Sequence, residues 1–447
     1  MAPHSTSPPP PSLSTTSAKP LIEPSLPQSE PCLSWWHQTT RAFPYLNANN
    51  DKPVPSSTKY LIIGSGISGA LTAYTLVHDY NVPGDEIVIL EAREAVSGAS
   101  GRNAGHVRPD AFRGFQGYEA LHGAEQALKI IANEKLVFEK IDAFVKQHEV
   151  PCDFHPTTTF DVCLTEEFAK YEKDSFDAYV RAGGDVSHIK YFEGEEARQR
   201  TRVSGAVAAY EWPAGSSHPA KLAQWLLSKS INRGVQLYTH CPAIETTSAT
   251  PQLSSWATRT PRGTITSPKI IHCTNAYASI LLPQLSSFLT PNKAQAHALI
   301  PDSAFSGANT LSSTMSLRYS IRHFYSLIQR QSDGTMILGV SRSNPELSAS
   351  TKSEIVSFND TAFNSEIVED ALRQFDKMLP PPAPSSKPTT HRHGESLAHA
   401  WTGIIGMTPD NTPLVGAIPE LPGQYICAAS TAMGWRGSGL VRRGWSS

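Results

Sequence analysis

One stretch of the chain, residues 60–91, restricts the possible folds more than any other. It reads as an apolar strand (YLII), the turn GSGISG at 64–69, a helical pattern, and a second apolar strand that ends at Glu91. In such a unit Gly64 permits the tight turn, Gly66 lets a pyrophosphate approach the backbone, and Gly69 lets the helix and strand pack closely. The stretch therefore predicts a Rossmann-like βαβ unit that binds an adenine dinucleotide.

The acidic residue at the end of the second strand narrows the choice of dinucleotide. Glu91 follows Gly69 by 22 residues, where a carboxylate accepts hydrogen bonds from ribose hydroxyls. A carboxylate repels a 2′-phosphate, so NADP is disfavoured. NAD and FAD both fit these residues alone, and a nicotinamide-dependent dehydrogenase stays open at this point.

The segment after Glu91, residues 92–106, is called the cofactor loop below. Many of its residues are small or polar, and several are glycines. Its backbone N–H groups can therefore lie along a pyrophosphate, and its surface can pack against a flat ring. Its sequence GASGRNAGH resembles the G-A-[ST]-G-R-N-[GA]-G-[HQ] loop of the D-amino-acid-oxidase-like superfamily of FAD-dependent amine oxidoreductases. The likeness is strongest to the fungal and bacterial branch related to gamma-glutamylputrescine oxidase, and it favours FAD over NAD.

The resemblance continues in order along the chain. Five further segments of this chain are similar to segments of the family. They are GSSHPAKL at 215–222, the strand and turn from 234, IIHCTNAY at 270–277, WTGIIGMTPD at 401–410 and PLVG at 413–416. The resemblance implies the following FAD-binding residues: Gly64, Gly66, Ile67, Ser68, Gly69, Glu91, Ala92, Arg93, Ser97, Ser100, Asn103, Ala104, Gly105, His106, Ala243, Thr274, Asn275 and Gly406.

These motifs imply an α/β fold with a discontinuous domain plan. A Rossmann-like FAD domain of the glutathione-reductase type is expected over 56–115, 205–285 and 395–447. A second, α+β substrate domain is expected over 116–204 and 286–394. The Pro- and Ser-rich residues 1–55 form an N-terminal extension, in which Trp35 and Trp36 are expected to dock on the body.

Periodicity predicts several elements outside the dinucleotide unit. Apolar residues at helical spacing indicate helices over 118–150 and 166–183, and alternation indicates a strand over 154–164. Asp333-Gly334 predicts a hairpin turn between two strands. A helix is expected over 366–378, with Ser365 as its cap.

Composition excludes several classes of partner. With 38 basic and 40 acidic residues the chain is near neutral, so nothing points to nucleic acid or to an anionic membrane. No apolar run approaches the ~20 residues of a membrane span. Six scattered cysteines without a C-x-x-C pair suit reduced thiols, and a cytoplasmic location is expected. His391, His393, His399 and Glu395 match no usual metal signature, so no metal is expected.

The expected function is oxidation of the C–N bond of an amine or amino acid by hydride transfer to flavin N5, with O2 as acceptor. The resemblance places His106 near the ring as the candidate catalytic residue. It could tune the flavin, bind substrate, carry a covalent link, or be purely structural. Candidate partners for a substrate carboxylate are Arg318, Arg322, Arg330 and Arg342, although an exposed or structural role is favoured for each of them. Tyr325 and His323 are candidate polar contacts, and the sequence does not choose among these residues. Cys427 is a second covalent-attachment candidate, with a buried, unreactive role as the alternative.

The C-terminus departs from the family pattern. Relatives follow the Tyr-Ile-Cys strand with A-G-F-[NT]-G-H-G-M, whereas residues 428–435 read AASTAMGW. One added G in the codons GCC GCT TCA ACG GCC ATG GGA TGG gives AGFNGHGM, so we interpret the tail as a frameshift or a misassigned exon boundary after Ala428. The alternative function is a flavin-fold protein whose catalysis is impaired by this tail.

Overall fold

The computed structural model describes residues 22–250, 253–342, 344–380 and 396–429. Strands in these ranges are β1 Tyr60–Ile63, β2 Ile87–Leu90, β3 His106–Val107, β4 His155–Cys163, β5 Lys190–Glu193, β6 Ala208–Ser216, β7 Gln236–Tyr238, β8 Glu245–Thr250, β9 Leu253–Thr260, β10 Gly263–Ser267, β11 Lys269–His272, β12 Thr290–Ile300, β13 Thr314–Ser320, β14 His323–Gln329, β15 Met336–Arg342, β16 Ser396–Met407, β17 Leu414–Ala417 and β18 Gln424–Ala428. Helices are α1 Trp35–Gln38, α2 Ile67–His78, α3 Phe115–His122, α4 Ala124–Gln147, α5 Glu166–Arg181, α6 Gly194–Thr201, α7 Pro219–Ile231, α8 Ala349–Ser353 and α9 Ser365–Met378.

A six-stranded sheet contains the dinucleotide-binding unit. Its order is β17-β18-β11-β1-β2-β7, with parallel pairing from β18 through β7 and an antiparallel edge strand, β17. The apolar runs of β1 and β2 are buried because helices cover such a sheet. Both strands end at the same edge, where the glycine turn and Glu91 follow them.

A larger mixed sheet forms the second body of strands. Its order is β16-β12-β15-β14-β13-β4-β6-β3, with β5 also paired to β6. Neighbours are antiparallel except β13 and β4, which run parallel. Together the two sheets confirm the mixed α/β fold class. A third, three-stranded antiparallel sheet, β10-β9-β8, completes the architecture.

The sheets bear on the expected domain ranges. Strands β6 and β16 belong to the larger sheet, although they fall inside ranges assigned to the FAD domain. The ranges 205–285 and 395–447 therefore contribute strands to the larger sheet as well as to the six-stranded sheet. The division into two domains stays a prediction.

The long helix expected over 118–150 is two helices. Gly123 separates α3 from α4 and has a φ of +78°, a conformation that suits glycine and ends a helix. The cap assigned to Ser365 is also wrong. The side chain of Asn364 accepts hydrogen bonds from the backbone N–H groups of Glu366 and Ile367, and Ser365 is the first helical residue.

The other predicted elements are confirmed. The strand over 154–164 is β4, and the helix after Thr165 is α5. Gly334, with a φ of +77°, lies in the turn between β14 and β15. Trp36 is completely buried and Trp35 is partly buried, so the two tryptophans do dock on the body. None of the helices in the described ranges is long and apolar enough to cross a membrane.

Candidate functional site

A cavity of about 1170 Å³ opens at the ends of β1 and β2 and extends to the larger sheet. Typical ligand pockets measure ~300–1,000 Å³, so this one has room for a large ligand. The glycine turn and Glu91 lie at one end, and Ser326 and Gly339 of the larger sheet line another part of the wall. The cavity therefore joins the dinucleotide unit to the second body of strands.

Most of the residues predicted to bind the cofactor lie on the cavity wall. They are Gly64, Gly66, Ile67, Ser68, Glu91, Ala92, Arg93, Ser100, Asn103, Ala104, His106, Ala243, Thr274 and Asn275. Gly69, Ser97, Gly105 and Gly406 are not among the lining residues and instead support the wall. Direct contact of each residue with a cofactor stays a prediction.

Two of the glycines are required by close packing. Gly64 has a φ of +106°, and a Cβ there would lie 2.5 Å from the carbonyl oxygen of Cys273. A Cβ on Gly69 would lie 1.9 Å from the carbonyl oxygen of Gly64. No larger residue fits either position, so the turn and the helix–strand contact have the roles expected from the fingerprint.

The carboxylate of Glu91 is fixed by hydrogen bonds from the glycine turn. Its Oε2 accepts from the backbone N–H (3.0 Å) and hydroxyl (2.7 Å) of Ser65, and its Oε1 accepts from the backbone N–H of Arg93 (3.0 Å). Each carboxylate oxygen has two acceptor positions, so both positions of Oε2 are occupied and one position of Oε1 is free. The oriented carboxylate can therefore still accept a hydrogen bond from a ribose hydroxyl group through Oε1.

Buried polar atoms without a partner surround the cavity. Among the described residues, the side-chain oxygens of Thr274 (Oγ1), Asn275 (Oδ1) and Tyr277 (Oη) and both ring nitrogens of His106 have no hydrogen-bond partner, and all four residues line the wall. Buried polar groups in native proteins are nearly always satisfied. The wall therefore fits a ligand rich in hydrogen-bonding groups, as FAD is.

A buried ionic contact stabilises the cofactor loop. Asp360, which is 1% exposed, accepts from Arg93 at 2.9 Å and lies 3.8 Å from Arg102 Nε. The carbonyl oxygen of Ser97 also accepts from both arginines. Ser97 and Gly105 are thus part of the frame of the loop, and Gly105 leaves no space for a Cβ beside Ile328.

His106 contacts the cavity as a neutral imidazole. Burial, with a smaller contribution from the charge of Arg108, lowers its pKa to about 3. Strand β3 places the ring on the wall by pairing with β6. A neutral imidazole can donate one hydrogen bond and accept another without adding charge.

A cluster of charged residues forms part of the wall, and of its members only Arg318 was a candidate from the sequence. Asp161 lies at its centre and pairs with Arg113 at 2.6 Å, Arg318 at 2.8 Å and Arg108 at 3.1 Å. Burial opposes ionisation of Asp161, but the guanidinium groups of Arg108, Arg318 and Arg113 hold its pKa well below the usual value. All three arginines line the cavity. Nε of Arg108 has no hydrogen-bond partner within the described chain.

Ionisation of a neighbouring carboxyl group is disfavoured. Burial, reinforced by the charge of Asp161, raises the pKa of Glu172 well above its usual value. The sequence carried one signal for this cluster, two arginines and an aspartate within RPDAFR at 108–113. Asp161 could not be found from it because β4 brings that residue from a distant part of the chain.

The other candidates are placed differently. Arg322 is exposed and lines the cavity, whereas Arg330 pairs with Asp153 and Asp333 and is absent from the cavity wall. Tyr325 donates to Asp370 at 2.5 Å, and His323 lies beside Tyr325.

Cys427 is 2% exposed, and burial raises its pKa to about 11. His399 binds the carbonyl oxygen of Leu33.

Some predictions fall outside the described residues. They concern the side chain of Arg342, the possible metal ligands His391, His393 and Glu395, and the tail after Ala429.

Comparison with known proteins gives the family. Residues 59–441 match the model of the FAD dependent oxidoreductase family, and the chain belongs to it. FAD is therefore its cofactor, which confirms the choice made from the cofactor loop.

Individual relatives are distant. The chain is 20% identical over 255 residues to the probable oxidoreductase OrdL of Haemophilus influenzae, covering 55% of this chain and 56% of that protein. It is 25% identical over 218 residues to the gamma-glutamylputrescine oxidoreductase of Escherichia coli, covering 48% of each. The chain thus spans about half the length of these curated relatives. The solved L-amino acid deaminase from Proteus vulgaris has the same fold, with a TM-score of 0.64 and 18% identity over 89% of this chain and 91% of that one.

Proposed function

We propose that this protein oxidises the C–N bond of a small-molecule amine or amino acid with bound FAD. The observation that carries the proposal is the single cavity in which the dinucleotide-binding turn and Glu91 share a wall with His106 and the arginine cluster around Asp161. The names of the two relatives, gamma-glutamylputrescine oxidoreductase and L-amino acid deaminase, refer to amino compounds and support the same substrate class.

The residues that would hold FAD are those of the glycine turn, Glu91 and the cofactor loop. FAD held by these residues would supply the electron acceptor for the proposed hydride transfer from the amine to flavin N5, with O2 as the proposed final oxidant. The chain orients the substrate and excludes water from this step.

The cavity wall suits a substrate that carries a carboxylate. Arg108 and Arg318 present guanidinium groups in a buried setting, where charge-assisted hydrogen bonds are strong. His106, being neutral, can bind an uncharged amine without protonating it. Arg322 at the cavity surface makes no ion pair within the described chain and is placed to attract the anion on entry.

The reaction is tested with the purified protein and a panel of amines. We expect bound flavin to be bleached under anaerobic conditions by at least one amine or amino acid, and peroxide to form in air. Bleaching without peroxide formation would support oxidation of the amine but would show that O2 is not the acceptor. A coloured protein that no amine bleaches would contradict the proposal and support the catalytically impaired alternative.

Arg322 gives a prediction about the carboxylate. Arg322→Ala should raise KM up to about fivefold for a carboxylate-bearing substrate, because an exposed charge pair contributes ~0.2–1 kcal/mol. It should leave KM for an amine without a carboxylate unchanged. Arg200→Ala is the control, because this exposed helix arginine pairs with Glu196 and lies over the Phe192 ring and is absent from the cavity wall. Equal effects on both substrates would rule out this role.

The domain roles and location form part of the same proposal. The ranges 56–115, 205–285 and 395–447 are proposed to hold FAD, and 116–204 and 286–394 to hold substrate. A cytoplasmic location is proposed because all six cysteines are free thiols.

A further inference from the structure

A segment before the dinucleotide unit crosses the outer side of the cofactor loop. This N-terminal strap, residues 32–40, contains the short helix α1, capped by the side chain of Ser34. Trp36 is completely buried and packs between the rings of His218, at 4.8 Å, and Trp401, at 6.4 Å. The strap is therefore a packed part of the molecule.

The strap donates hydrogen bonds to backbone carbonyl groups of the loop. Ser34 Oγ donates to the carbonyl oxygen of Gly101 at 2.6 Å, and Trp36 Nε1 donates to that of Asn103 at 2.7 Å. His37 Nε2 lies 3.1 Å from the carbonyl oxygen of Val96. Burial lowers the pKa of His37 to about 4, so the ring is neutral and its tautomer with Nε2–H suits this contact.

The bond from Trp36 fixes the direction of one peptide group. In a trans peptide the carbonyl of one residue and the N–H of the next point in opposite directions, and the described chain contains no cis peptide. Because the carbonyl of Asn103 is directed at Trp36, the N–H of Ala104 is directed away from the strap. Ala104 lines the cavity, and no acceptor in the described chain binds this N–H.

The strap is itself anchored by two further hydrogen bonds to the body. Thr39 Oγ1 lies 2.8 Å from His218 Nε2, and the backbone N–H of Cys32 donates to the carbonyl oxygen of Asp360 at 2.9 Å. The strap packs tightly against the loop at Gly101, because a Cβ there would lie 2.1 Å from His37 Nε2. The loop therefore cannot turn its carbonyl groups toward the cavity without losing contacts to the strap.

We propose that the N-terminal strap positions the cofactor loop for FAD, with Trp36 orienting the N–H of Ala104 toward an acceptor on the cofactor. Trp36 is a positioning residue, because it acts through the peptide between Asn103 and Ala104. The inference depends on FAD binding and is independent of which substrate is oxidised.

The test compares two tryptophans of one helix. Trp36→Phe keeps an aromatic ring but removes the N–H donor, and Trp35→Phe makes the same change at a residue whose Nε1 has no partner in the described chain. FAD is titrated into the apoprotein by flavin fluorescence, and the bound flavin is examined by visible circular dichroism. We expect Trp36→Phe to raise the Kd for FAD about tenfold and to alter the flavin dichroism, as the loss of one buried hydrogen bond allows. Trp35→Phe should change neither.

Thermal unfolding separates positioning from general stability. A positioning role predicts that Trp36→Phe reduces the rise in Tm that FAD produces, beyond any change in the Tm of the apoprotein. Ser34→Ala, which removes the contact to Gly101, should raise the Kd about threefold and serves if Trp36→Phe does not fold. If the Kd and the FAD-induced rise in Tm stay at wild-type values in the strap variants, the proposal is wrong, whatever the outcome of the amine assays.

Discussion

At the scale of single residues, Asp360 shows how one buried carboxylate organises the cofactor loop. It pairs with Arg93 and lies near Arg102, and all three side chains are almost fully buried. Its backbone carbonyl also receives the N–H of Cys32. A buried charge loses its hydration, so each arginine depends on this partner to compensate the cost.

Replacing Asp360 should therefore be severe. Asp360→Asn leaves two buried guanidinium groups without a countercharge, and we expect it to lower the free energy of unfolding by ~3–5 kcal/mol. Urea unfolding of the apoprotein measures the change. Glu94→Gln is the matched control because Glu94 pairs with Arg41 at the surface, where such a pair contributes ~0–1 kcal/mol. Similar losses in the two variants would contradict the role of burial.

The residues that could be predicted from the sequence are those whose chemistry is local. Gly64, Gly69 and Glu91 belong to one βαβ unit, and their spacing alone indicates the turn and the ribose contact. Asp161 and Asp360 could not be predicted, because each acts on arginines that are far away in the sequence. Their roles arise only when the larger sheet is assembled.

At the scale of elements, the start of α9 shows a similar limit. Both Asn364 and Ser365 are good capping residues, and the hydrophobic pattern does not fix a helix boundary to one residue. The structure selects Asn364 because its backbone N–H donates to Gln295. That contact from β12 holds Asn364 outside the helix.

The cap can be tested by paired variants. Asn364→Ala should lower the free energy of unfolding by ~1 kcal/mol, since two backbone N–H groups lose their acceptor. Ser365→Ala should change it by less than ~0.5 kcal/mol, because Ser365 is a first-turn residue with no capping bond. Chemical denaturation of both variants checks the difference, and a larger loss at Ser365 would restore the assignment made from the sequence.

Long, strongly patterned elements were predicted well, and their interruptions were not. The pattern over 118–150 indicates a helix but hides the break at Gly123, because the apolar spacing continues through it. The strand β4 and the β14–β15 hairpin were found because alternation and a turn signal coincide there.

At the scale of the whole molecule, five buried histidines make stability depend on pH. Burial is the largest cause that lowers the pKa of His37, His272 and His297 to about 4 and that of His106 and His218 to about 3. An unfolded histidine titrates near 6.5, so unfolding takes up protons between that pH and the native pKa. Stability is therefore full above pH ~6.5 and falls as the pH drops toward 4.

The expected loss is large. At pH 5 each of these imidazoles lowers the free energy of unfolding by roughly 2 kcal/mol, and the five together are comparable with the ~5–15 kcal/mol of a typical domain. Tm measured from pH 7.5 to 5 should fall steeply below pH 6.5. Replacing the exposed His240 by Gln should leave this profile unchanged, and a flat profile for the wild type would show that these rings are not neutral in the native state.

The order of the six-stranded sheet has a consequence for biosynthesis. Strand β1 pairs with β2, which leaves the ribosome soon after it, and with β11, which follows about two hundred residues later. Strand β18, near residue 424, then completes the parallel part of the sheet on the far side of β11. The glycine turn is thus among the first parts of the fold to be synthesised, yet the sheet behind it is completed among the last. Nascent chains must pass through a long period with an open strand edge, during which chaperones or early cofactor capture would protect them from aggregation.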